Sequence, residues 1–474
     1  MDQELWKELE MLRGQHLLRQ LRPFESPQGP EIIFKGRPCV NFSSNDYLGL
    51  TRHPRIKGAA LRALETFGTG TGSARLISGH LPPQQQLDTA LAIFKQTEAA
   101  LVFSSGFAVP LGVIPALVGK GDVVILDKLN HACLIDACRL SGATIRVYPH
   151  LDMGKLEEHL KWSNEIPNSK FKIPDAEEMQ IPDSKFKIAD TEERQIPDSK
   201  FKIPDADTEE RQIPDSRFQI ADTEERQIPD SRFQNVNQGE IENRQSTIEK
   251  IPRSRRVLVI TETIFSMDGD RAPLAQIVAL KEKYGAWLMI DEAHATGVFG
   301  KMRAGLADEL GLGARVEIQM GTLSKALGSG GGYVAGSRPL IETLVNRARS
   351  FIFSTALPPA TCEAAREAIE LVRSPEGQLL HDQLWLNIHR LSDALLSRGL
   401  ISQAAQSPII PIPIGEESKA LEVSAKMFDR GFYVPAIRYP TVPKGRARLR
   451  VSLTARHTAE QMDKLVHALE TVLL

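Results

Sequence analysis

The chain has 474 residues, 42% of them hydrophobic and 25% charged, the make-up of an ordinary globular protein with enough length for more than one core. Its formal net charge of -2 leaves no electrostatic case for nucleic acid or an anionic membrane as the main partner. Four cysteines (Cys39, Cys133, Cys138, Cys362) form no Cys-x-x-Cys pair, which argues against a zinc site or a disulfide framework and suits a reducing cytoplasm.

The N-terminal stretch MDQELWKELEMLRGQHLLRQL mixes charged and apolar residues at helical spacing and includes acids, unlike a signal or transit peptide. Residues 99–119, AALVFSSGFAVPLGVIPALVG, carry no charge and have the length of a membrane span. Ser104, Ser105 and Gly106, with Pro110 and Pro115, divide that run into a strand, a turn and a helix start. Further along, DVVILD, VLVITET and AWLMIDEA are apolar runs with polar ends, as expected of strands buried on both faces of a parallel sheet. Amphipathic stretches such as LAQIVALKEKYG lie between them. The expected fold class is α/β, with ligands at the carboxyl ends of the strands.

Residues 166–239 break this rhythm. The motif IPDSKFKIADTEERQ recurs there, with Ile-Pro at 166, 181, 196, 213 and 228, and the segment holds 17 acidic and 11 basic residues. So few apolar side chains per copy do not offset the entropy of ordering the chain, so a flexible, solvated insertion is expected. The alternative for these repeats is an array that docks a partner.

The chemistry concentrates near residues 291 and 325. WLMIDEAHATGVFG puts Asp291 at a strand end with His294 three residues on. As a metal site this pair lacks a third ligand at suitable spacing. As the acidic motif of a helicase-type ATPase it lacks a phosphate loop, since no Gly-Lys in the chain is followed by Ser or Thr. The remaining reading joins Asp291 to Lys325, the one lysine of QMGTLSKALGSGGGYVAG, a stretch of small residues without a carboxylate. A lysine with room to swing and a carboxylate one α/β unit earlier is how pyridoxal phosphate (PLP) is held.

Six motifs in chain order, NFSSNDYLGL, FSSGF, SMDGDRAPL, IDEAHATGVFG, GTLSKALGSGGGYV and IRYPTVPKGRARLRVSLTARHT, resemble the α-oxoamine synthases. These are PLP enzymes of the aspartate aminotransferase fold (fold type I), which condense an amino acid with an acyl-CoA and release CO2. The resemblance implies Lys325 as the Schiff-base lysine and Asp291 as partner of the ring nitrogen. It implies His294 and Ser266 as donors to the ring's phenolic oxygen, with His131 stacked on the ring. Thr322 and the backbone of Gly106 and Phe107 would hold the phosphate, and Arg450 the amino-acid carboxylate. Asn45, Thr441 and Arg19 would line the substrate site. HLPPQQQLD departs from the family, with Gln84 and Asp88 where His and Glu are usual.

The resemblance also implies a large PLP-binding domain over 45–336 and a small α+β domain built from 1–44 and 337–474. The active site would lie between the subunits of a homodimer. The implied substrates are L-alanine and pimeloyl-CoA or another pimeloyl thioester, with glycine as the amino acid in the alternative members of the family. A degenerate platform for the repeats would not need an intact lysine, aspartate, histidine and arginine set.

The position of the repeats generates a first test. Deleting residues 166–239 is expected to leave a folded, dimeric, active enzyme, because loop closure costs only about 0.6 kcal/mol per doubling of length. Comparison of kcat/KM and sedimentation for the full-length and shortened proteins checks this, and aggregation of the shortened form would make the segment structural.

Overall fold

The computed structural model describes residues 1–165 and 254–473. The repeat segment 166–239 therefore lies outside the described residues. Strands, in chain order, are β1 (Glu31–Phe34), β2 (Arg37–Asn41), β3 (Ala99–Phe103), β4 (Val123–Asp127), β5 (Thr144–Tyr148), β6 (Val257–Glu262) and β7 (Trp287–Asp291). They continue with β8 (Ile318–Thr322), β9 (Gly332–Gly336), β10 (Ile409–Gly415), β11 (Phe432–Tyr433), β12 (Ala436–Ile437) and β13 (Ala447–Ser452).

A seven-stranded sheet in the order β3-β9-β8-β7-β6-β4-β5 forms the centre. All its neighbouring pairs are parallel except those made by β9, which runs against both β3 and β8. The apolar runs read as doubly buried strands are β4, β6 and β7. Along β4, Val123 and Ile125 join one apolar cluster while Val124 and Leu126 join the other, on the opposite face. The uncharged run 99–119 becomes β3, a turn and the helix Ala108–Leu117. No helix among the described residues is long and apolar enough to cross a membrane.

Parallel register puts the carboxyl ends of β3, β4, β6, β7 and β8 on one edge. Phe103, Asp127, Glu262, Asp291 and Thr322 are the residues that end there. Two smaller sheets, β1-β2-β11 and β10-β13-β12, complete the strands. The Ser452 N–H at the end of β13 donates to Phe42 O at 2.8 Å, and Ala455 N–H to Tyr47 O at 2.8 Å. These bonds carry the C-terminal strand to the segment around residue 45.

Two local features hold the site's loops. The β8–β9 connection turns through Gly328 (φ +61°) and Gly331 (φ +100°), and a Cβ on Gly328 would lie 2.7 Å from Thr51 N. Small residues around Lys325 are thus demanded by the turn itself. After β7, the buried Glu292 carboxylate accepts the Ala307 N–H at 3.0 Å and pairs with the buried Lys95 ammonium, which also donates to Ala304 O at 2.5 Å. The unfamiliar stretch before Lys95 is a helix, Pro82–Lys95. Gln84 accepts the Leu81 N–H at 3.1 Å and donates to Leu357 O at 2.6 Å. Asp88 accepts from Arg75 at 2.5 Å and from Val102 N–H at 2.9 Å.

Removing one partner of a buried ion pair strands the other charge. Lys95→Met is expected to destabilise the fold by about 3–5 kcal/mol. The double substitution with Glu292→Gln should recover part of that loss. Urea denaturation of the three proteins checks both statements.

Candidate active site

Lys325 Nζ lies 2.8 Å from His294 Nε2, and His294 Nδ1 lies 2.6 Å from the Tyr47 hydroxyl. The directions of these bonds follow from chemistry. An ammonium only donates, so Nε2 accepts, Nδ1 carries the proton and the Tyr47 oxygen receives it. The Tyr47 hydroxyl is then free to donate to Asn45 Oδ1, at 3.3 Å. Burial, and next the charges of Lys325, Arg450 and His131, hold the His294 imidazole well below its ordinary pKa, consistent with that neutral ring.

Asp291 ends β7 directly opposite Glu262, which ends β6. Both are buried. Asp291 Oδ1 accepts the Ala293 N–H at 2.8 Å, which anchors the carboxylate at the start of the turn. Burial pushes the Asp291 carboxyl up, and the Lys325 ammonium opposes that push. Glu262 is driven up to about 8, by burial and then by the neighbouring Asp291 charge. Its oxygens accept the backbone N–H of His131 at 2.6 Å and of Ser266 at 3.3 Å. Lys325 itself is lowered to about 8: burial dominates, while Asp291 and Glu262 hold it up and Arg450 adds repulsion. A lysine in that range supplies a substantial fraction of neutral amine near pH 8, the nucleophilic form.

His131 precedes the helix Ala132–Ser141 and caps it, Nδ1 accepting the Cys133 N–H at 3.3 Å, while the ring remains exposed at the sheet edge. Capping and stacking are compatible, because the cap uses one nitrogen in the ring plane and leaves the faces open. Burial lowers the His131 pKa. Ser266 is buried, and its carbonyl oxygen takes Arg450 Nε at 2.7 Å. Arg450 also donates to Asn45 Oδ1 at 3.2 Å and Ser452 Oγ at 2.8 Å. It is 6% exposed, and all these partners are neutral. A buried guanidinium without a carboxylate partner among the described residues has a charge that a carboxylate ligand could pair.

The turn from β3 into the helix Ala108–Leu117 presents backbone N–H groups. Among the described residues the Gly106 and Phe107 N–H groups have no acceptor. A Cβ on Gly106 would lie 3.1 Å from Thr322 Oγ1, so a larger residue there would press on Thr322. Thr322 Oγ1 rests 3.0 Å from Gly331 O and 2.8 Å from Ser324 Oγ. Free N–H groups opening a helix suit an anion. Lysine, opposed carboxylate and anion cradle therefore fit PLP.

Of the residues singled out in the sequence, Lys325, His294, Asn45, Arg450 and Ser266 form one hydrogen-bonded set through Tyr47. Asp291 and His131 adjoin it through Glu262. Arg19 and Thr441 meet each other, Nη2 to Oγ1 at 3.0 Å, on an exposed segment and bond to none of that set. Sequence reasoning passed over Tyr47, Glu262 and Ser452. Tyr47 sits inside NFSSNDYLGL and Glu262 at the polar end of VLVITET, so both lay within stretches already marked out.

A family model described as aminotransferase class I and II matches residues 37–169 and 218–469. The chain belongs to that family. It is 39% identical to the 8-amino-7-oxononanoate synthase of Geobacter sulfurreducens over 98% of this chain and 96% of that protein. It is 40% identical to the synthase of the same name from Thermoanaerobacter pseudethanolicus, over 98% and 95%. Among solved structures it resembles serine palmitoyltransferase from S. paucimobilis with a bound PLP–myriocin aldimine. The TM-score is 0.76 and the identity 25%, covering 99% of this chain and 96% of that one.

The lowered Lys325 pKa sets a measurable pH dependence. The neutral amine attacks the aldehyde, so PLP uptake by cofactor-free protein should speed up as pH rises from about 6 to 10, with a midpoint near 8. Growth of the band near roughly 420 nm, followed by stopped flow, checks this. A midpoint near the ordinary lysine value would mean that burial does not control the amine.

Proposed function

We propose that the chain is a PLP-dependent acyltransferase of the 8-amino-7-oxononanoate synthase type. It joins L-alanine to a pimeloyl thioester, releasing CoA (or another thiol carrier) and CO2, in biotin synthesis. The observation that carries this reading is the buried Arg450 guanidinium. It is bonded only to neutral acceptors, in the same hydrogen-bonded set as an amine of lowered pKa. Identity of 39–40% over nearly the whole length of synthases with this name supports the choice within the family.

PLP, when bound, supplies an electron sink for the carbanion that forms at the amino-acid Cα. Asp291 would keep the pyridine nitrogen protonated, and Lys325 would bond the aldehyde. His294 and Ser266 would hold the phenolic oxygen, His131 would cover the ring, and Gly106, Phe107 and Thr322 would take the phosphate. Arg450 grips the alanine carboxylate in a two-point fork, orienting the Cα–H bond. Lys325 Nζ would accept the Cα proton and return one after CO2 has left. The Tyr47 hydroxyl holds the His294 ring at Nδ1 and, by donating to it, would leave the ring proton on Nε2 for the phenolic oxygen.

Residues 45–336 act as the cofactor domain, and 1–44 with 337–474 as a smaller one that brings Arg450, Asn45, Thr441 and Arg19 to the substrate. The two three-stranded sheets outside the central sheet support that division. The working unit is a homodimer in the cytoplasm.

Asp291→Asn is expected to retain PLP but lose at least about tenfold in kcat, or roughly 1.4 kcal/mol of transition-state stabilisation, because an amide does not hold the ring nitrogen protonated. The assay is CoA release from pimeloyl-CoA with L-alanine, alongside the absorbance spectrum. No release by the wild-type holoenzyme with any acyl-CoA would overturn the proposed activity.

A further inference from the structure

Three loops at the carboxyl edge of the central sheet converge on His150, which follows β5 and has no part in the site described above. Its Nδ1 lies 3.0 Å from Asp127 Oδ1, at the end of β4, and its Nε2 lies 2.8 Å from Asp270 Oδ2, in the loop after β6. A carboxylate only accepts, so both ring nitrogens donate and the ring is an imidazolium. Burial pulls its pKa down, but the hydrogen bonds and charges of Asp127 and Asp270 overcome that and push it up to about 10. The Phe265 ring packs edge-on against it, with centroids 4.4 Å apart. Lys128, Asp268, Arg446 and Arg448 are the other charged groups that face the same cavity as His150.

Both carboxylates are tied into backbone. Asp127 also accepts the Leu129 N–H at 2.8 Å and the Leu151 N–H at 3.0 Å, which joins the loops after β4 and β5. Asp270 closes a compact loop, residues 265–270, in which Phe265 N–H donates to Asp270 O at 3.0 Å and Gly269 N–H to Phe265 O at 2.8 Å. The far side of that loop rests on the β10–β13 sheet. Asp268 pairs with Arg448 of β13, and Gly269, at φ +72°, leaves no room for a side chain against Ile409 O. Ser266 stands between these anchors, its carbonyl oxygen receiving Arg450 Nε at 2.7 Å. On the large-sheet side the loop has the charged His150–Asp270 bond and a longer one, Ser266 N–H to Glu262 at 3.3 Å. The shorter bond, with charge on both partners, is the stronger of the two.

We propose that His150 is a positioning residue: its imidazolium fastens loop 265–270 to the end of β4 and so keeps the Ser266 carbonyl where it sets the plane of the Arg450 guanidinium for the amino-acid carboxylate. The inference rests on the acyltransferase reading and adds what aims Arg450. A two-point fork depends on the angle of that plane, so a loop that shifts weakens substrate binding before it touches the chemistry at Lys325.

The test uses the full chain with His150→Gln, which loses the charge and one of the two donors. Hydrogen–deuterium exchange of residues 265–270 should speed up at least about tenfold, while β6 and β7 keep their wild-type protection. Acceleration throughout the chain would mean a general loss of stability, and unchanged exchange would mean that the loop holds without His150; either overturns the proposal. In the holoenzyme the KM for L-alanine should rise at least about tenfold with kcat within about threefold of wild type. A fall in kcat at unchanged KM would overturn it. Asp270→Asn keeps an acceptor for Nε2 and should give smaller changes of the same kind. In wild-type protein at about pH 8, where an ordinary imidazole is neutral, nitrogen NMR of ring-labelled histidine should find both nitrogens of His150 protonated. A neutral ring there would overturn the proposal without any variant. If the wild-type holoenzyme did not turn over L-alanine while the exchange and NMR results stood, the acyltransferase reading would fall and the fastening of the loop by His150 would be upheld.

Discussion

Enclosing the Lys325 amine on a sheet edge that already carries Asp291 and Glu262 is the constraint on which the site depends. Burial favours the neutral amine, the carboxylates favour the ammonium, and the outcome lies well below the usual lysine value. The same field acts in reverse on the carboxylates. Glu262, opposite Asp291 in the parallel register, is pushed up to about 8 by burial and next by the Asp291 charge, while the Lys325 ammonium pulls it back down. Lysine, carboxylates and imidazole therefore titrate as one group of sites.

Backbone architecture keeps that group in place. Parallel strands deliver Glu262 and Asp291 to one edge, and an antiparallel return strand lets the loop between β8 and β9 carry Lys325 next to them. Glycine at 328 meets both the positive φ and the close approach to Thr51. The Lys95–Glu292 pair fastens the residue after Asp291 to the rest of the large sheet's helices. Glu262 has a second task, because its two oxygens tie down the backbones of His131 and Ser266 together.

The Arg450 guanidinium comes from a different sheet. β13 presents Arg450 and Arg448 on one face, and its hydrogen bonds to Phe42 and the Tyr47 segment bring residues 400 positions apart in the chain into one hydrogen-bonded set. Asn45 is the joint, accepting from both Arg450 and Tyr47. Through it the Arg450 guanidinium is coupled to the histidine that touches Lys325.

The α/β class, the buried strands and the pairing of Asp291 with Lys325 were legible in the sequence, because they rest on local patterns: apolar runs with polar ends, and a lysine among residues too small to cover it. The division of 99–119 into strand, turn and helix followed from turn chemistry in the same way. Tyr47, Glu262 and Ser452 were not recognised, although the first two lie in quoted stretches, since their partners come from strand register and from contacts hundreds of residues away. His131 shows the same division: its type and place before a helix are written in the chain, but its tie to Glu262 is not. Glutamate at a strand end reads the same whether it faces solvent or another carboxylate. Only the tertiary structure decides which, because the charge and solvation that give such a residue its chemistry belong to its neighbours in space.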